Sequence, residues 1–542
     1  MDEADRRNRL QVGVSRRQFL RRGGAALAAG AALAALPAST LPAAATASSQ
    51  PRITIVGAGI AGLSAAHELQ RSGLTATIYE GSGRIGGRIW SAHGIMGPGL
   101  TTEIGGEFID SGHKEMLAFA RAFGLPLIDV ESPSEQGLRK AFYFDGQMKT
   151  EQQVIEAFRP LAAVIAQDQK DVAFADYLHY NQRALELDNT SIAEYLSQIG
   201  ASGFIRELLD VAYLTEYGGE TDIQSALNLV FLIGTRTNQG FQEFGISDQR
   251  YKVEGGNQRI SDALAASIQQ RGSAIHPGER LVAVREQRGP GGKTFVCTFR
   301  SAGGSAHDVT TDILLLTVPF SVLRDIDLAV DLVPRVRRYI DECGYGTNSK
   351  LVLGFNRRYW RDAGQNGLFF TDLELQSGWD SSQLQPGDLG SLTIYTGGQQ
   401  GIAAGGGSVQ SQRNQALPQV DAMFPGAQAN ANGRAFRFVW PTYEWSKGSY
   451  TSFTTGQYTA FTGSAEPAAI GDYPEPSGQL FFAGEHLNFD FQGYMEGGAV
   501  SGSRPQGRSR GWSERPERAG EPATPPRSRN TAQRELQRRG AR

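Results

Sequence analysis

Three glycines, at Gly57, Gly59 and Gly62, follow a short apolar run. The first permits a tight turn, the second lets a phosphate approach the backbone, and the third lets a helix pack on the preceding strand. The amide groups at that helix start, which includes Ala61, attract phosphates. Glu80 ends the next strand-like run about twenty residues later, where an acid can bind a ribose hydroxyl. This spacing predicts a dinucleotide-binding site.

The elements that position this motif are also readable from the sequence. The pattern predicts a strand over Ile53–Val56, a helix over Leu63–Ser72 and a strand over Ala76–Glu80, which together make a βαβ unit. Continuous apolar runs at Ile313–Val318 and Leu480–Glu485 predict further buried strands. Residues from about 110 to 250 carry mainly helical periodicity.

Two further glycine-rich segments narrow the choice of dinucleotide. Arg84–Arg88 reads RIGGR and Glu103–Phe108 reads EIGGEF. Both resemble segments of the flavin-containing amine oxidase family. The resemblance implies FAD as the cofactor, in contact with Gly87 and Arg88 of the first segment. It also implies contacts with Gly105, Gly106 and Glu107 of the second.

The resemblance to this family continues in order through residues 51–502. The segments that carry it are Gly255–Arg259, Val282, Asn348–Phe355 with Lys350, Trp445 with Tyr450, Ala483–His486 and Gly493–Gly498. It implies that the Val282 backbone meets the adenine and that Trp445 belongs to the cofactor-binding residues. It also implies that Gly484 and Glu485 bind the cofactor, Glu485 at its ribityl or phosphate-side hydroxyls.

The same resemblance implies the roles of the reacting groups. Lys350 would hold a water near the flavin N5, and Tyr450 and Tyr494 would form an aromatic cage that orients an amine by dipole and cation–π attraction. The Met495 N–H would donate to the flavin O2 edge and stabilise the reduced anion. These roles predict oxidative deamination of an amine, with O2 reduced to H2O2.

Two alternative functions stay open. Family members that oxidise amino acids bind the carboxylate with an arginine, and Glu107–Asp110 contains none, although Arg236 and Arg357 occur elsewhere. An L-amino acid oxidase is therefore the second interpretation, and a non-catalytic flavin-binding protein is the third. A polyamine substrate would need an acid far from the flavin, for which the candidates are Glu216, Glu220 and Asp222.

Two departures from the family pattern lead to further predictions. Some members attach the flavin through a cysteine just before the cage tyrosine, but Ser449 stands there, so we expect non-covalent FAD. The family continues the Gly493–Gly498 segment as a long helix, whereas Pro505 interrupts it here. The Arg/Pro-rich composition after this point predicts a disordered tail over residues 503–542.

The composition and the terminal segments lead to predictions about disulfides, metal sites, nucleic-acid binding and location. The two cysteines and seven scattered histidines predict neither a disulfide framework nor a metal site. Basic residues cluster at both ends, so the body is more acidic than the net charge of −3 and disfavours nucleic acid. Ser15–Leu20 reads SRRQFL and precedes a short apolar run, which predicts recognition by the twin-arginine translocation machinery and a periplasmic or extracellular location.

These observations define an expected architecture. We predict an α/β protein in which a FAD-binding Rossmann-type domain carries a discontinuous α+β substrate domain. The boundaries are 1–47 for the signal peptide, 51–125, 251–332 and 445–502 for the FAD-binding domain, and 126–250 and 333–444 for the substrate domain. No stable membrane span is expected, and the sequence leaves a homodimer open.

Overall fold

The computed structural model describes residues 50–172, 174–289, 292–464 and 479–503. The predicted signal peptide over residues 1–47 and the predicted tail from residue 504 onward lie outside the described residues. Within the described part, no helix has both the length and the apolar character needed to cross a bilayer.

A parallel sheet of five strands carries the glycine motif. Its strands are β1 (Ile53–Val56), β2 (Thr77–Glu80), β9 (Ala274–Pro277), β13 (Ile313–Leu316) and β20 (Gln479–Phe482), in the order β20-β13-β1-β2-β9. All four residues of β1 are buried, as expected for a central strand covered on both faces. Because the strands are parallel, their carboxyl ends meet at one edge, and the glycine loop leaves β1 at that edge.

The other strands form four sheets. They are β3 (Ser91–His93), β4 (Thr101–Glu103), β5 (Leu127–Asp129), β6 (Arg139–Phe144), β7 (Gln147–Lys149), β8 (Tyr251–Val253), β10 (Glu279–Gly289), β11 (Gly292–Ser301), β12 (Ala306–Thr311), β14 (Asp327–Ala329), β15 (Ser349–Phe355), β16 (Gln365–Thr371), β17 (Ser377–Asp380), β18 (Gly390–Thr396) and β19 (Ala431–Val439). A seven-stranded sheet has the order β19-β15-β18-β17-β16-β6-β7, and a four-stranded sheet has the order β12-β11-β10-β14. Two small pairs, β3-β4 and β5-β8, complete the set. In the large sheet Lys350 of β15 is paired with Tyr395 of β18.

Helices surround these sheets. The described α-helices are α1 (Ile60–Arg71), α2 (Lys114–Ala122), α3 (Glu151–Val172), α4 (Gln182–Asp188), α5 (Ile192–Gln198), α6 (Phe204–Tyr217), α7 (Ala226–Leu232), α8 (Gln258–Gln270), α9 (Phe320–Leu323), α10 (Pro334–Glu342), α11 (Gly398–Ala403), α12 (Val409–Met423), α13 (Ala427–Asn430), α14 (Gln457–Phe461) and α15 (Met495–Ser503). Ser503 therefore ends a helix, whereas the sequence predicted that the tail begins there. The predicted α/β class, with a parallel sheet, is confirmed.

Helix α15 packs unusually close to helix α1. A Cβ on Gly498 would lie 2.7 Å from the Ile60 side chain, and a Cβ on Gly502 would lie 2.1 Å from the Ala61 carbonyl oxygen. Only glycine permits this backbone approach. Glu496 adds a second anchor, because its carboxylate accepts the Glu115 and Met116 N–H groups of α2, each at 2.9 Å. These contacts fix the start of α15, where Tyr494 and Met495 lie.

Candidate active site

The loop after β1 forms a tight turn at the edge of the parallel sheet. Gly57 has a φ of +105°, and its N–H donates to the Tyr79 carbonyl at 2.8 Å. The Ala58 N–H donates to one oxygen of Glu80 at 2.8 Å. The other Glu80 oxygen accepts the Ser82 N–H at 2.8 Å and the Ser82 hydroxyl at 2.7 Å. Glu80 therefore holds the loop in shape while it lines the cavity described below.

The start of α1 fits a phosphate group. Gly59 precedes the helix, no side chain caps its first turn, and that turn contains no acid. A Cβ built on Gly59 meets only the Gly87 Cα, at 3.8 Å, so open space lies beside the helix start. Uncapped amide groups and the positive end of the helix dipole favour an anion here. This end of the cavity fits the pyrophosphate of FAD.

Gly62 was also predicted to bind the cofactor, but it does not line the cavity. A Cβ on Gly62 would lie 2.0 Å from the Gly57 carbonyl oxygen and 3.0 Å from the Thr317 hydroxyl. Gly62 thus packs against the glycine loop, and its contact with the cofactor stays a prediction. The physical reason is the helical turn, which points the third glycine of the motif at the strand rather than at the phosphate site.

The two glycines should therefore respond differently to alanine. We expect Gly59→Ala to leave the melting temperature of the apoprotein nearly unchanged and to weaken FAD binding about tenfold or more, because a crowding methyl costs about 1–3 kcal/mol. Gly62→Ala should instead destabilise the apoprotein by a similar amount. Calorimetry of apoproteins and FAD titration measure the two effects. Equal losses of apoprotein stability in both variants would contradict this assignment.

The RIGGR segment lies against the glycine loop. Arg84 ties it together, because its guanidinium donates to the Gly87 carbonyl at 2.6 Å and to the Ile89 carbonyl at 2.7 Å. The Gly86 N–H donates to the Ala58 carbonyl at 2.8 Å. The sequence analysis gave Arg84 no role. Its signal was present in the RIGGR segment, but only the structure shows that this arginine stabilises the wall beside Gly87.

Glu485 connects the RIGGR segment with the segments that carry Tyr450 and Tyr494. Its carboxylate accepts the Arg88 guanidinium at 2.8 Å, the Gly493 N–H at 2.8 Å and the Thr451 hydroxyl at 3.2 Å. Burial alone would raise the pKa of Glu485. The charge and hydrogen bond of Arg88, together with His486 and the Gly493 N–H, outweigh burial, so the pKa lies below its usual value. Arg88 also donates to the Ser449 carbonyl at 3.0 Å. Glu485 is thus an ionised residue that holds the tyrosine segments in place.

The remaining predicted cofactor-binding residues lie along the same wall. Val282 and Trp445 line the cavity at the edge near Glu80, and a Cβ on Gly81 would lie 2.2 Å from the Trp445 ring. Gly105 and Gly106 lie close to two other segments that line the cavity, those of Arg88 and Met495. A Cβ on Gly105 would lie 1.8 Å from the Arg88 carbonyl oxygen, and one on Gly106 would lie 2.8 Å from the Met495 side chain.

Lys350 sits in a buried charged cluster. Its Nζ donates to the carbonyls of Glu103 at 3.0 Å and Gly105 at 2.9 Å, and to Glu107 Oε2 at 3.1 Å. Lys252, which the sequence analysis missed, lies 3.5 Å from the other Glu107 oxygen. An ammonium has three N–H donors, and all three of Lys350 are accepted by the protein. A water held by Lys350, as the family resemblance implies, would have to replace one of these acceptors.

The tyrosines of the predicted cage share one hydrogen-bond network. The Tyr450 hydroxyl donates to the Glu216 carbonyl and lies 3.1 Å from the Tyr395 hydroxyl. The Tyr494 hydroxyl donates to Glu216 Oε1 at 3.2 Å. The Trp379 ring lies 5.2 Å from the Tyr395 ring, and its centre is 5.1 Å from Lys350 Nζ. Tyr395 and Trp379 thus extend the aromatic wall that the sequence analysis limited to Tyr450 and Tyr494.

One cavity of about 340 Å³ joins these groups. The predicted site residues that line it are Gly57, Gly59, Ala61, Glu80, Gly87, Arg88, Gly105, Gly106, Glu107, Val282, Lys350, Trp445, Tyr450, Gly484, Glu485, Tyr494 and Met495. The cavity extends from the phosphate-fitting loop to a chamber lined by Lys350 and the tyrosines. A long cofactor in contact with an aromatic substrate chamber fits this shape.

The chain belongs to the family of flavin-containing amine oxidoreductases, whose family model matches residues 60–504. It is similar to the flavin-dependent L-tryptophan oxidase RebO of Lentzea aerocolonigenes, with 25% identity over 81% of this chain and 93% of the relative. It is also similar to the nicotine dehydrogenase of Pseudomonas putida, with 21% identity over 92% of this chain and 97% of the relative.

Solved structures share the fold. Cyclohexylamine oxidase from Brevibacterium oxydans aligns with a TM-score of 0.69 at 20% identity, over 84% of this chain and 97% of that protein. The predicted fold class and the resemblance to flavin-containing amine oxidases are therefore confirmed. Membership of this family implies a flavin cofactor and makes the chain an oxidoreductase that acts on a small molecule.

Proposed function

We propose that this protein oxidises an amine to an imine, with non-covalent FAD as the cofactor and O2 as the acceptor that yields H2O2. The observation that carries the proposal is the chamber at the Lys350 end of the cavity. Tyrosines and Trp379 line it, and so do two acids, the buried Asp110 and the partly buried Glu216. A chamber of aromatic faces and carboxylates suits a cationic or neutral amine.

The residues along the cavity have different proposed roles. The start of α1 would hold the pyrophosphate, Glu485 and Arg88 fix the middle of the wall, and Met495 would offer its N–H to the flavin ring. When bound, FAD would supply the acceptor for a hydride equivalent from the carbon next to the substrate nitrogen. Tyr450 and Tyr494 orient the amine and exclude water, and Lys350 supplies a fixed positive charge near the developing negative charge.

The charge of the chamber favours an amine over an amino acid. Three arginines line the cavity, namely Arg84, Arg88 and Arg280. They lie in the part of the cavity that fits the cofactor, where they form hydrogen bonds with other residues. Neither of the candidates from the sequence, Arg236 and Arg357, lines the cavity, and Arg357 pairs with Asp362 at 2.6 Å. An amino acid would therefore bring its carboxylate towards the acids of the chamber with no arginine to bind it.

A peroxide assay with a panel of amines and L-amino acids tests this proposal. We expect peroxide from alkylamines or aralkylamines and at least tenfold lower kcat/KM for the matching amino acids. Faster turnover of an amino acid, including L-tryptophan, would favour the second interpretation. FAD-loaded protein that reduces neither its flavin nor O2 with any member of the panel would be a non-catalytic flavoprotein. Flavin reduction without peroxide would indicate another electron acceptor.

The attachment of the flavin gives a separate test. Ser449 lines the cavity, and its hydroxyl donates to the Asn348 side chain at 2.6 Å. A hydroxyl in this position cannot form a thioether, so acid or heat denaturation should release all FAD into the supernatant. Absorbance of the supernatant and the pellet measures it. Flavin that stays with the precipitated polypeptide would disprove non-covalent binding.

Export through the twin-arginine machinery is also a proposal. It rests on the SRRQFL segment and the apolar run that follows it. This route carries folded proteins, so it suits a protein that captures FAD before export. Replacing Arg16 and Arg17 by lysine and measuring the location of the flavoprotein tests the route.

A further inference from the structure

Glu216 occupies a special place in the substrate chamber. It lies in the last turn of α6 and lines the cavity. Its carboxylate accepts the Tyr494 hydroxyl, and its backbone carbonyl accepts the Tyr450 hydroxyl. A single residue therefore connects the hydroxyl groups of both cage tyrosines. The sequence analysis considered Glu216 only as a distant acid for a polyamine, whereas the structure places it at the cage itself.

The surroundings of Glu216 contain acids and phenols but no ion-pair partner among the described residues. The Asp110 carboxylate lies 3.3 Å from His113 Nε2, but burial lowers the pKa of His113 to about 4, so this histidine is neutral near pH 7. Glu243 pairs with Lys140 at 2.5 Å. The phenols facing Glu216 are Tyr213, Tyr217, Tyr395, Tyr450 and Tyr494. Burial raises the pKa of Glu216 to about 7, the Tyr494 hydrogen bond lowers it, and the charges of Asp110 and Glu243 raise it.

Glu107 provides the contrast within the same cavity. It lies between two lysines, Lys350 at 3.1 Å and Lys252 at 3.5 Å, which compensate its charge. Glu216 is partly buried and has no cation beside it among the described residues, so its ionised form is destabilised. It can therefore take up a proton or receive a cation. Glu216 lines the cavity, and an amine arrives from neutral solution mainly as an ammonium ion.

We propose that Glu216 binds the ammonium group of the incoming amine and accepts one of its protons. An N–H bond of the ammonium breaks and an O–H bond forms on the carboxylate, so two opposite charges become a neutral amine and a neutral acid. The step needs no oxidant, and the proton leaves Glu216 for solvent after the product departs. The cage then holds the neutral amine that hydride loss requires. This inference rests on the proposed amine oxidase function.

The pH dependence of kcat/KM distinguishes this route from capture of the free neutral amine. With Glu216, the productive pair is an ionised carboxylate and an ammonium ion, so kcat/KM should rise as pH increases through about 7 and then level off. Without a proton acceptor, only the neutral amine is productive. An alkylamine with a pKa of about 10.4 is about one thousandth neutral at pH 7.4, so kcat/KM would keep rising into the alkaline range.

The first experiment compares wild type with Glu216→Gln, using hexylamine as the probe. We expect kcat/KM at pH 7.4 to fall on the order of 100-fold or more. The rise of kcat/KM near pH 7 (the limb of the pH profile) should disappear, and activity should recover as pH approaches about 10. Asp222→Asn is the matched control, since it removes the same charge from an exposed position outside the cavity. A Glu216→Gln profile that keeps its limb near pH 7, with kcat/KM within threefold of wild type, would overturn the proposal.

A second variant tests the same proposal in case Glu216→Gln does not fold. Tyr494→Phe removes the hydrogen bond that lowers the pKa of Glu216, so the limb near pH 7 should move to higher pH in that variant. A purely structural role for Glu216 would not produce this shift. An unchanged limb in a flavin-loaded Tyr494→Phe protein would contradict the assignment of the limb to Glu216.

Binding of a non-oxidisable probe separates this inference from the proposed function. The α,α-dimethyl analogue of hexylamine has no hydrogen on the α carbon and cannot be oxidised. Calorimetry in two buffers of different ionisation enthalpy counts protons released on binding. Above pH 7 we expect none from wild type, and weaker binding or release of one proton from Glu216→Gln. Equal affinity and proton count in both proteins would overturn the role of Glu216. Turnover of no amine by wild type would instead defeat the proposed function.

Discussion

Replacing Lys350 by methionine should slow turnover on the order of 100-fold while leaving FAD bound. Lys350 is the lysine that lines the cavity beside Trp379, and its charge is held by three acceptors. Loss of a fixed positive group from a buried reacting site commonly costs about two orders of magnitude. Stopped-flow measurement of anaerobic reduction by amine, and then of reoxidation by air-saturated buffer, assigns the loss to one half-reaction. We expect the larger loss in reoxidation.

Lys252→Met is the matched control for this variant. It removes the same charge from the same carboxylate, Glu107, but Lys252 does not line the cavity. If the effect depends on a charge at the cavity wall, Lys252→Met should slow reoxidation far less than Lys350→Met. Equal losses would show that only the overall charge of the cluster matters. An unchanged oxidase rate of Lys350→Met, in air and with saturating amine, would remove Lys350 from the mechanism.

Replacing Glu485 by alanine should lower both stability and FAD retention. Glu485 is 5% exposed, and the side chain of its partner Arg88 is 24% exposed. Removing one member of a buried ion pair leaves the other charge uncompensated, at a cost of about 3–5 kcal/mol, and the partial exposure of Arg88 favours the lower end. The Gly493 N–H also loses its acceptor, which loosens the segment before Tyr494. Chemical denaturation and FAD titration measure these losses.

Two further variants identify the cause of the loss. Arg88→Met combined with Glu485→Leu removes both charges, so it should recover part of the stability but not the FAD affinity. Glu485→Gln keeps the hydrogen-bonding shape without the charge. Because the pKa of Glu485 in the folded protein lies below its usual 4.5, the wild type should lose this contribution as pH falls below that value, and Glu485→Gln should not. A double variant no more stable than Glu485→Ala would contradict the ion-pair account.

Three of the glutamates that line this cavity illustrate how neighbours decide the function of one residue type. Glu107 lies between two lysines, and Glu485 is paired with Arg88. Among the described residues, Glu216 faces phenols and acids without a cation, and burial raises its pKa to about 7. The first two carboxylates therefore hold the protein in shape, while Glu216 is available to a ligand. The segments around Glu107 and Glu485 predict cofactor contacts, but no sequence pattern predicts which carboxylate has a cation beside it.

The sequence by itself determined the features that depend on local backbone geometry. The spacing of Gly57, Gly59 and Gly62 after an apolar strand and before a helix is enough to predict a phosphate-binding loop, because the turn needs no distant partner. The order of the glycine-rich segments, Lys350 and the Tyr450 and Tyr494 segments was enough to identify the family. The same order predicted the α/β class, although the domain boundaries and the roles of the site residues stay predictions.

The tertiary structure decided which side chains meet. Tyr494 reaches Glu216 across 278 positions of sequence, Lys350 reaches Glu107 across 243, and Arg88 reaches Glu485 across 397. Tyr395 lies opposite Lys350 only because β15 and β18 pair in that register. Burial, ion pairing and pKa depend on these long-range contacts, so Lys252, Trp379, Tyr395 and the position of Glu216 at the cage could not be found from residue patterns. Local chemistry specified the loop that fits the cofactor, and packing between distant segments specified the chamber that fits the substrate.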